Sequence, residues 1–169
     1  MDRTELRDAL LELAERLDRA NVSARIYIVG GAAMALAYDA ERATRDIDAV
    51  IIDQHGPVIQ AVRDIGQAHG WPGSWLNDQA SAYVSRRPDP LQRVVFDHRA
   101  LRVVAASPER LLAMKARAAR TTDHGDIVRL AEMTGITSVS AIEALVSELF
   151  PDEPLGERSK KVLHDVLGT

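Results

Sequence analysis

The sequence contains no cysteine, which excludes disulfides, thiolate metal sites and cysteine nucleophiles. It also lacks an apolar run near the ~20 residues that a membrane span needs. The first residues have neither the basic start nor the apolar stretch of a signal peptide. The histidines show no His-x-x-x-His or similar spacing, so a zinc site is not expected. These absences together favour a cytoplasmic location. Because no repeat, low-complexity segment or linker divides the chain, we expect one domain.

Charge is unevenly distributed along the chain. The net charge of −4 argues by itself against nucleic-acid binding. Residues 81–120, however, carry nine Lys or Arg and three acids, a local charge of +6 against −10 for the rest. This asymmetry predicts a basic surface that faces an anionic ligand. The alternative is that these side chains only solvate helix and strand faces. The nine basic residues are Arg86, Arg87, Arg93, Arg99, Arg102, Arg110, Lys115, Arg117 and Arg120.

Hydrophobic periodicity predicts a mixed order of helices and strands, and therefore an α+β fold. Leucines at helical spacing predict an amphipathic helix over residues 3–19. Two β-rich runs, 25–29 and 47–52, predict strands with a helix over 32–38 between them. We further predict strands over 81–85, 93–97 and 101–105, and helices over about 57–69, 108–120, 126–134, 138–150 and 157–167. Helices dominate the C-terminal third.

Two aspartates at the head of the second predicted strand are candidates for chemistry. Asp46 and Asp48 stand two residues apart, so strand alternation puts both side chains on one face of the sheet. Two carboxylates that close repel each other unless a positive charge lies between them. Mg²⁺ suits this arrangement, because it takes oxygen ligands and is often shared with substrate phosphates. A solvated strand end is the alternative interpretation of the two aspartates taken alone.

A glycine pair, Gly30 and Gly31, separates the first of these strands from the helix that follows. Glycines let backbone N–H groups approach a phosphate, and a helix N-terminus favours negative charge. An ordinary tight turn would also explain the pair. The joint order is much more specific: Gly-Gly, a helix, and then Asp-x-Asp entering an apolar strand.

This order carries a resemblance to a known superfamily. Residues 27–52, YIVGGAAMALAYDAERATRDIDAVII, resemble the nucleotide-binding motif of polymerase-β-like nucleotidyltransferases, and more narrowly the bacterial AbiEii/MenT-type toxins. Residues 95–97 and 101–136 also resemble that group, in which a Ser-Pro-Glu helix carries a lysine and an Asp-Ile pair opens the next helix. The resemblance implies a small mixed β-sheet nucleotidyltransferase core with flanking helices and a helical C-terminal part. We expect a single such domain over residues 1–169, with the core at about 22–106 and the helical part at about 107–169.

The resemblance implies roles for four charged residues. Asp46 and Asp48 would bind the metal, Mg²⁺ or Mn²⁺. Lys115 would contact the nucleotide phosphates, and Asp126 would complete the active site. From the residues alone, Lys115 could instead be a solvated helix lysine. Asp126 could be an acid in the first turn of a helix that Asp123 caps.

Further residues would complete the nucleotide site. Gly30 and Gly31 would approach the phosphates, although wider members of the superfamily often have Ser where this chain has Gly31. Thr44 stands where several of the toxins have a Ser or Thr beside the metal that can itself be modified. Asp97 is a candidate for the third carboxylate and a metal ligand, with a strand-end charge as the alternative.

The function implied by the resemblance is the transfer of a nucleotide from an NTP to an acceptor. For the toxin group the acceptor would be the 3′ end of tRNA, with an antitoxin as partner and no membrane involved. The alternatives are transfer to a protein or small-molecule hydroxyl, or a non-catalytic module that keeps the fold. A metal-dependent nuclease also uses clustered acids, but it does not account for Gly-Gly followed by Asp-x-Asp.

Overall fold

The computed structural model describes residues 1–39 and 41–168, and its backbone divides into two units. The first unit contains Met1–Tyr83 together with Leu91–Ala106. The second contains Val84–Pro90 and the chain from Ser107 onward. No helix in the described residues is both long and apolar enough to cross a membrane.

A five-stranded mixed sheet forms the centre of the first unit. Its strands lie in the order β3-β2-β1-β5-β4. The central strand β1 pairs antiparallel with β2 and parallel with β5, while β3 is parallel to β2 and β4 antiparallel to β5. The strands are β1 (Ala24–Ile28), β2 (Ile47–Ile51), β3 (Leu76–Asn77), β4 (Arg93–His98) and β5 (Leu101–Ala105). The predicted α+β class is confirmed.

Helices α1 (Arg3–Arg19) and α3 (His55–His69) bury the core of this unit. The four leucines of α1 that recur at helical spacing are almost fully buried. A capping box opens the helix, because Asp2 accepts from the amide of Glu5 and Glu5 accepts from the amide of Asp2. Trp75 is a core residue because its side chain is almost fully buried. Its indole N–H donates to the Val62 carbonyl oxygen at 2.8 Å.

The segment between β1 and β2 begins with the glycine pair. Helix α2 (Gly30–Ala33) continues directly into a π-helical turn, Met34–Tyr38. The Tyr38 hydroxyl donates to the Ala106 carbonyl oxygen at 2.7 Å and ties this turn to the end of β5. The segment therefore returns the chain to the head of β2, where the two aspartates lie.

The second unit is helical, as predicted for the C-terminal part. Its helices are α4 (Pro108–Ala118), α5 (His124–Thr134), α6 (Val139–Leu149) and α7 (Glu157–Leu167). Ser107 caps α4 by accepting from the amide of Arg110. The buried Arg110 guanidinium donates to the carbonyl oxygens of Ser85, Arg87 and Pro88, which ties the segment 84–90 to this helix.

The predicted strand over residues 81–85 is wrong. The chain instead forms a 3₁₀ turn, Gln79–Ala82. The Asp78 carbonyl oxygen accepts from both the amide and the hydroxyl of Ser81, and these local bonds compete with strand pairing. The strand that does form here is β3, which directly precedes the turn and was not predicted.

Candidate functional site

The two aspartates lie together at the head of β2. Asp48 is the second residue of β2, and Asp46 is the residue directly before the strand begins. Both side chains are half-buried, whereas Ile47 between them is fully buried on the opposite face. Burial, and next to it the negative charge of Asp48, raise the pKa of the Asp46 carboxyl. The structure therefore brings these two predicted site residues together, in a place where the ionised form of Asp46 is disfavoured.

Gly30 approaches the Asp48 carboxylate closely. Its backbone is left-handed, with a φ of +62° that favours glycine. A Cβ at this position would lie 3.1 Å from Asp48 Oδ2. The absence of a side chain therefore lets the turn lie directly against the carboxylate.

Gly31 makes a second close approach, to Thr44. A Cβ there would lie 2.6 Å from Thr44 Oγ1, closer than real Cβ contacts come. The Thr44 hydroxyl donates to the carbonyl oxygen of Asp46 at 3.1 Å. Thr44 therefore fills the space that a serine side chain at position 31 would need, and it links the glycine turn to the aspartates.

We expect Gly31→Ala to destabilise the fold by about 1–3 kcal/mol, because a new methyl group in a packed space forces its neighbours to shift. Chemical denaturation measures this loss. Thr44→Ala removes the oxygen in conflict, so the double variant should be more stable than the sum of the two single effects predicts. Gly56→Ala is the matched control, since a Cβ there meets nothing within 4 Å. Equal losses in Gly31→Ala and Gly56→Ala would contradict the close contact.

Asn77 is a site residue that the sequence interpretation missed. Strand β3 pairs with β2 so that Asn77 lies opposite Asp48. The buried Asn77 side chain donates from Nδ2 to Asp48 Oδ1 at 3.2 Å. Its Oδ1 accepts from the amide of Gln79, also at 3.2 Å. A strand of two residues is too short to show alternation, so no sequence pattern pointed to this contact.

Asp97 does not join the two aspartates. It lies on β4, three strands away from β2, which is roughly 14 Å at the usual strand spacing. Antiparallel pairing places it opposite Arg102, with which it forms an exposed ion pair at 3.6 Å. The description as a strand-end charge fits this position, and the metal-ligand prediction for Asp97 is not supported.

The donor set of Asp46 and Asp48 fits a hard divalent cation. Among residues 1–39 and 41–168, no group of three or more His, Asp or Glu side chains could hold a metal together. Two carboxylates nevertheless suffice for Mg²⁺, which usually keeps several waters and binds through one or two carboxylates plus substrate phosphates. A cation here would also offset the burial and the negative charge of Asp48 that raise the pKa of Asp46.

Lys115 and Asp126 meet in the second unit. The Lys115 ammonium on α4 lies 2.8 Å from Asp126 Oδ2 and 2.7 Å from Asp123 Oδ1. All three side chains are buried. Lys115 is therefore not a solvated helix lysine. Asp123 does not cap α5 with its side chain, because its carboxylate holds Lys115 instead.

The basic segment does not form one uniformly charged surface. Several of its arginines have acidic or buried partners: Arg99 with Asp18, Arg102 with Asp97, Arg117 with Glu153, and Arg110 with Asp89 and three carbonyl oxygens. Arg86, Arg87 and Arg120 are exposed. Fewer of the nine basic residues are therefore free to form a basic surface than the charge count of the segment indicated.

Comparison with known proteins supports the broader part of the resemblance. No curated protein matches the chain. A family model does match, over residues 5–159, and it describes a nucleotidyltransferase of unknown function. This match contains the glycine pair, the two aspartates, Asn77 and the Lys115 cluster. Because it spans well over half of the chain, the protein belongs to this family of nucleotidyltransferases, DUF6036.

Proposed function

We propose that the protein transfers a nucleotide from an NTP to an acceptor hydroxyl, with Mg²⁺ or Mn²⁺ held by Asp46 and Asp48. The close approach of Gly30 to Asp48 Oδ2 carries this proposal. The turn is open and suited to a phosphate, and it lies directly beside one of two adjacent carboxylates whose mutual repulsion a cation would relieve. Neither feature alone specifies the chemistry, but a metal-bound triphosphate needs both.

The reaction would proceed by attack of the acceptor hydroxyl oxygen on the α-phosphorus. The bond from the α-phosphorus to the bridging oxygen breaks, pyrophosphate leaves, and the hydroxyl proton passes to water or a base. The divalent ion, when bound, would neutralise charge on the phosphate oxygens and orient the attack. Asp46 and Asp48 would hold and orient that ion, while Thr44 fixes the chain that leads into them through its bond to the Asp46 carbonyl oxygen.

The acceptor that we propose is RNA, specifically the 3′ end of tRNA, for a cytoplasmic toxin paired with an antitoxin. Arg86 and Arg87 support an RNA contact, since both are exposed in a segment of +6 charge. A protein or small-molecule hydroxyl would need no such contact. The toxin role depends on the resemblance of residues 27–52 and 101–136 to the AbiEii/MenT-type group.

Incubation with each NTP, Mg²⁺ and total tRNA tests the proposal directly. Label at the α-phosphate should appear in the tRNA, whereas label at the γ-phosphate should leave as pyrophosphate. Transfer of the γ label would instead show a kinase-type reaction, and shortened tRNA would show a nuclease. No incorporation into tRNA, protein or small molecules would favour a non-catalytic module.

We expect RNA binding to weaken steeply with salt and to depend on Arg86 and Arg87. Each neutralised phosphate releases counterions, so loss of two phosphate contacts should reduce the slope of log K against log salt by about 2. Binding of tRNA by the Arg86→Glu/Arg87→Glu variant measures this, with the exposed Arg7→Glu as the control. NTP binding should stay unchanged. Salt-insensitive transfer, with the double variant fully active on tRNA, would rule out Arg86 and Arg87 as part of an RNA-binding surface.

A further inference from the structure

The two carboxylate oxygens of Asp48 have different neighbours. Oδ1 accepts a hydrogen bond from Asn77 Nδ2 at 3.2 Å. Oδ2 is the atom that lies against the Gly30 turn. Oδ2 is therefore the oxygen next to the glycine turn, and Oδ1 is the oxygen bound by Asn77.

The orientation of the Asn77 amide is determined by its two partners. A backbone N–H can only donate, so the bond from the Gln79 amide requires Oδ1 of Asn77 on that side. A carboxylate can only accept, so Nδ2 must face Asp48. Asn77 is buried, and the β3 register holds it opposite Asp48.

We infer that Asn77 is a positioning residue, which holds Asp48 so that Oδ2 is the oxygen presented to the divalent ion. The inference rests on the proposed metal-dependent function and extends it to a residue outside the Asp-x-Asp motif. Hydrogen-bonded partners of metal ligands orient those ligands and raise metal affinity. Aspartate at position 77 could not replace Asn77, because it cannot donate to Asp48 and would repel it.

Binding of Mn²⁺ to the whole chain, followed by electron paramagnetic resonance, tests this inference without relying on activity. Asn77→Ala should weaken Mn²⁺ binding by roughly 10- to 100-fold, as is typical for loss of a ligand's hydrogen-bond partner. Asn77→Leu should do the same while filling the buried space, so either folded variant is sufficient. Gln79→Ala is the matched control, because it keeps the backbone N–H that Asn77 accepts, and its Mn²⁺ affinity should not change.

A double-mutant cycle separates positioning from a general structural effect. In an Asp48→Asn background, Asn77→Ala should cause little further loss of Mn²⁺ affinity, since the carboxylate that Asn77 orients has been replaced by a neutral amide. Undiminished Mn²⁺ affinity in folded Asn77→Ala, with normal affinity in the parent protein, would overturn the inference and leave the proposed function standing. A parent protein that binds no Mn²⁺, with or without NTP, would overturn both.

Discussion

Asp46→Asn and Asp48→Asn should each reduce nucleotide transfer by at least about 100-fold. A catalytic metal supplies several kcal/mol of charge stabilisation, and each 1.4 kcal/mol corresponds to a factor of ten in rate. Turnover of labelled NTP at saturating Mg²⁺ measures the loss. Asp64→Asn is the matched control, because that carboxylate is exposed on α3, where it accepts a local hydrogen bond from Gln60. Full activity in either site variant would overturn the metal assignment.

The same substitutions should stabilise the metal-free protein. Burial and the charge of Asp48 raise the pKa of Asp46, which means that its ionised form is less favourable in the folded chain than in water. A neutral amide removes that repulsion, so the melting temperature without metal should rise. Added Mg²⁺ should stabilise the parent protein and have little effect on the variants, because only the parent binds it. The opposite pattern would indicate that the aspartates stabilise the fold rather than bind a cation.

The part of the site that lies in one continuous stretch could be predicted from the sequence. Gly30, Gly31, Asp46 and Asp48 are separated by one helical segment, and strand alternation alone puts the two carboxylates on one face. The proximity of the two aspartates depends on local strand geometry, and their spacing in the sequence predicts that geometry directly. A sequence pattern could not predict the close contact of Thr44 with Gly31, because this contact depends on the path of the chain before β2.

Contacts made by sheet pairing or by buried charge could not be predicted in this way. Asn77 reaches Asp48 only because β3 pairs with β2 in one particular register. Asp97 was expected at the metal, but β4 pairs at the far edge of the sheet and places it against Arg102. A count of charges likewise did not reveal that Arg110 is buried and bound to carbonyl oxygens.

The buried cluster of Lys115, Asp123 and Asp126 should show the second large effect. Lys115→Met leaves two buried carboxylates without their ammonium partner, and breaking a buried ion pair in this way typically costs about 3–5 kcal/mol. In a chain of this size, about 1 kcal/mol shifts the melting temperature by roughly 2–4 °C. A fall of roughly 6–20 °C is therefore expected in thermal denaturation. A fall of only 1–2 °C, on the order of a surface pair, would contradict the burial of this cluster.

Neutralising the whole cluster separates its structural role from its predicted role in catalysis. Lys115→Met/Asp123→Asn/Asp126→Asn removes all three charges of the cluster together, so most of the lost stability should return. If Lys115 contacts the triphosphate, as the resemblance implies, this triple variant should still fail to use NTP although its stability is restored. Lys115→Arg in the parent background should keep the charge and recover only part of the turnover, since the two cations differ in shape and hydration. Turnover is measured below the melting temperature of every variant, so that differences in activity do not reflect unfolding. Parent-like turnover in the triple variant would show that the cluster serves only to hold α4 and α5 together.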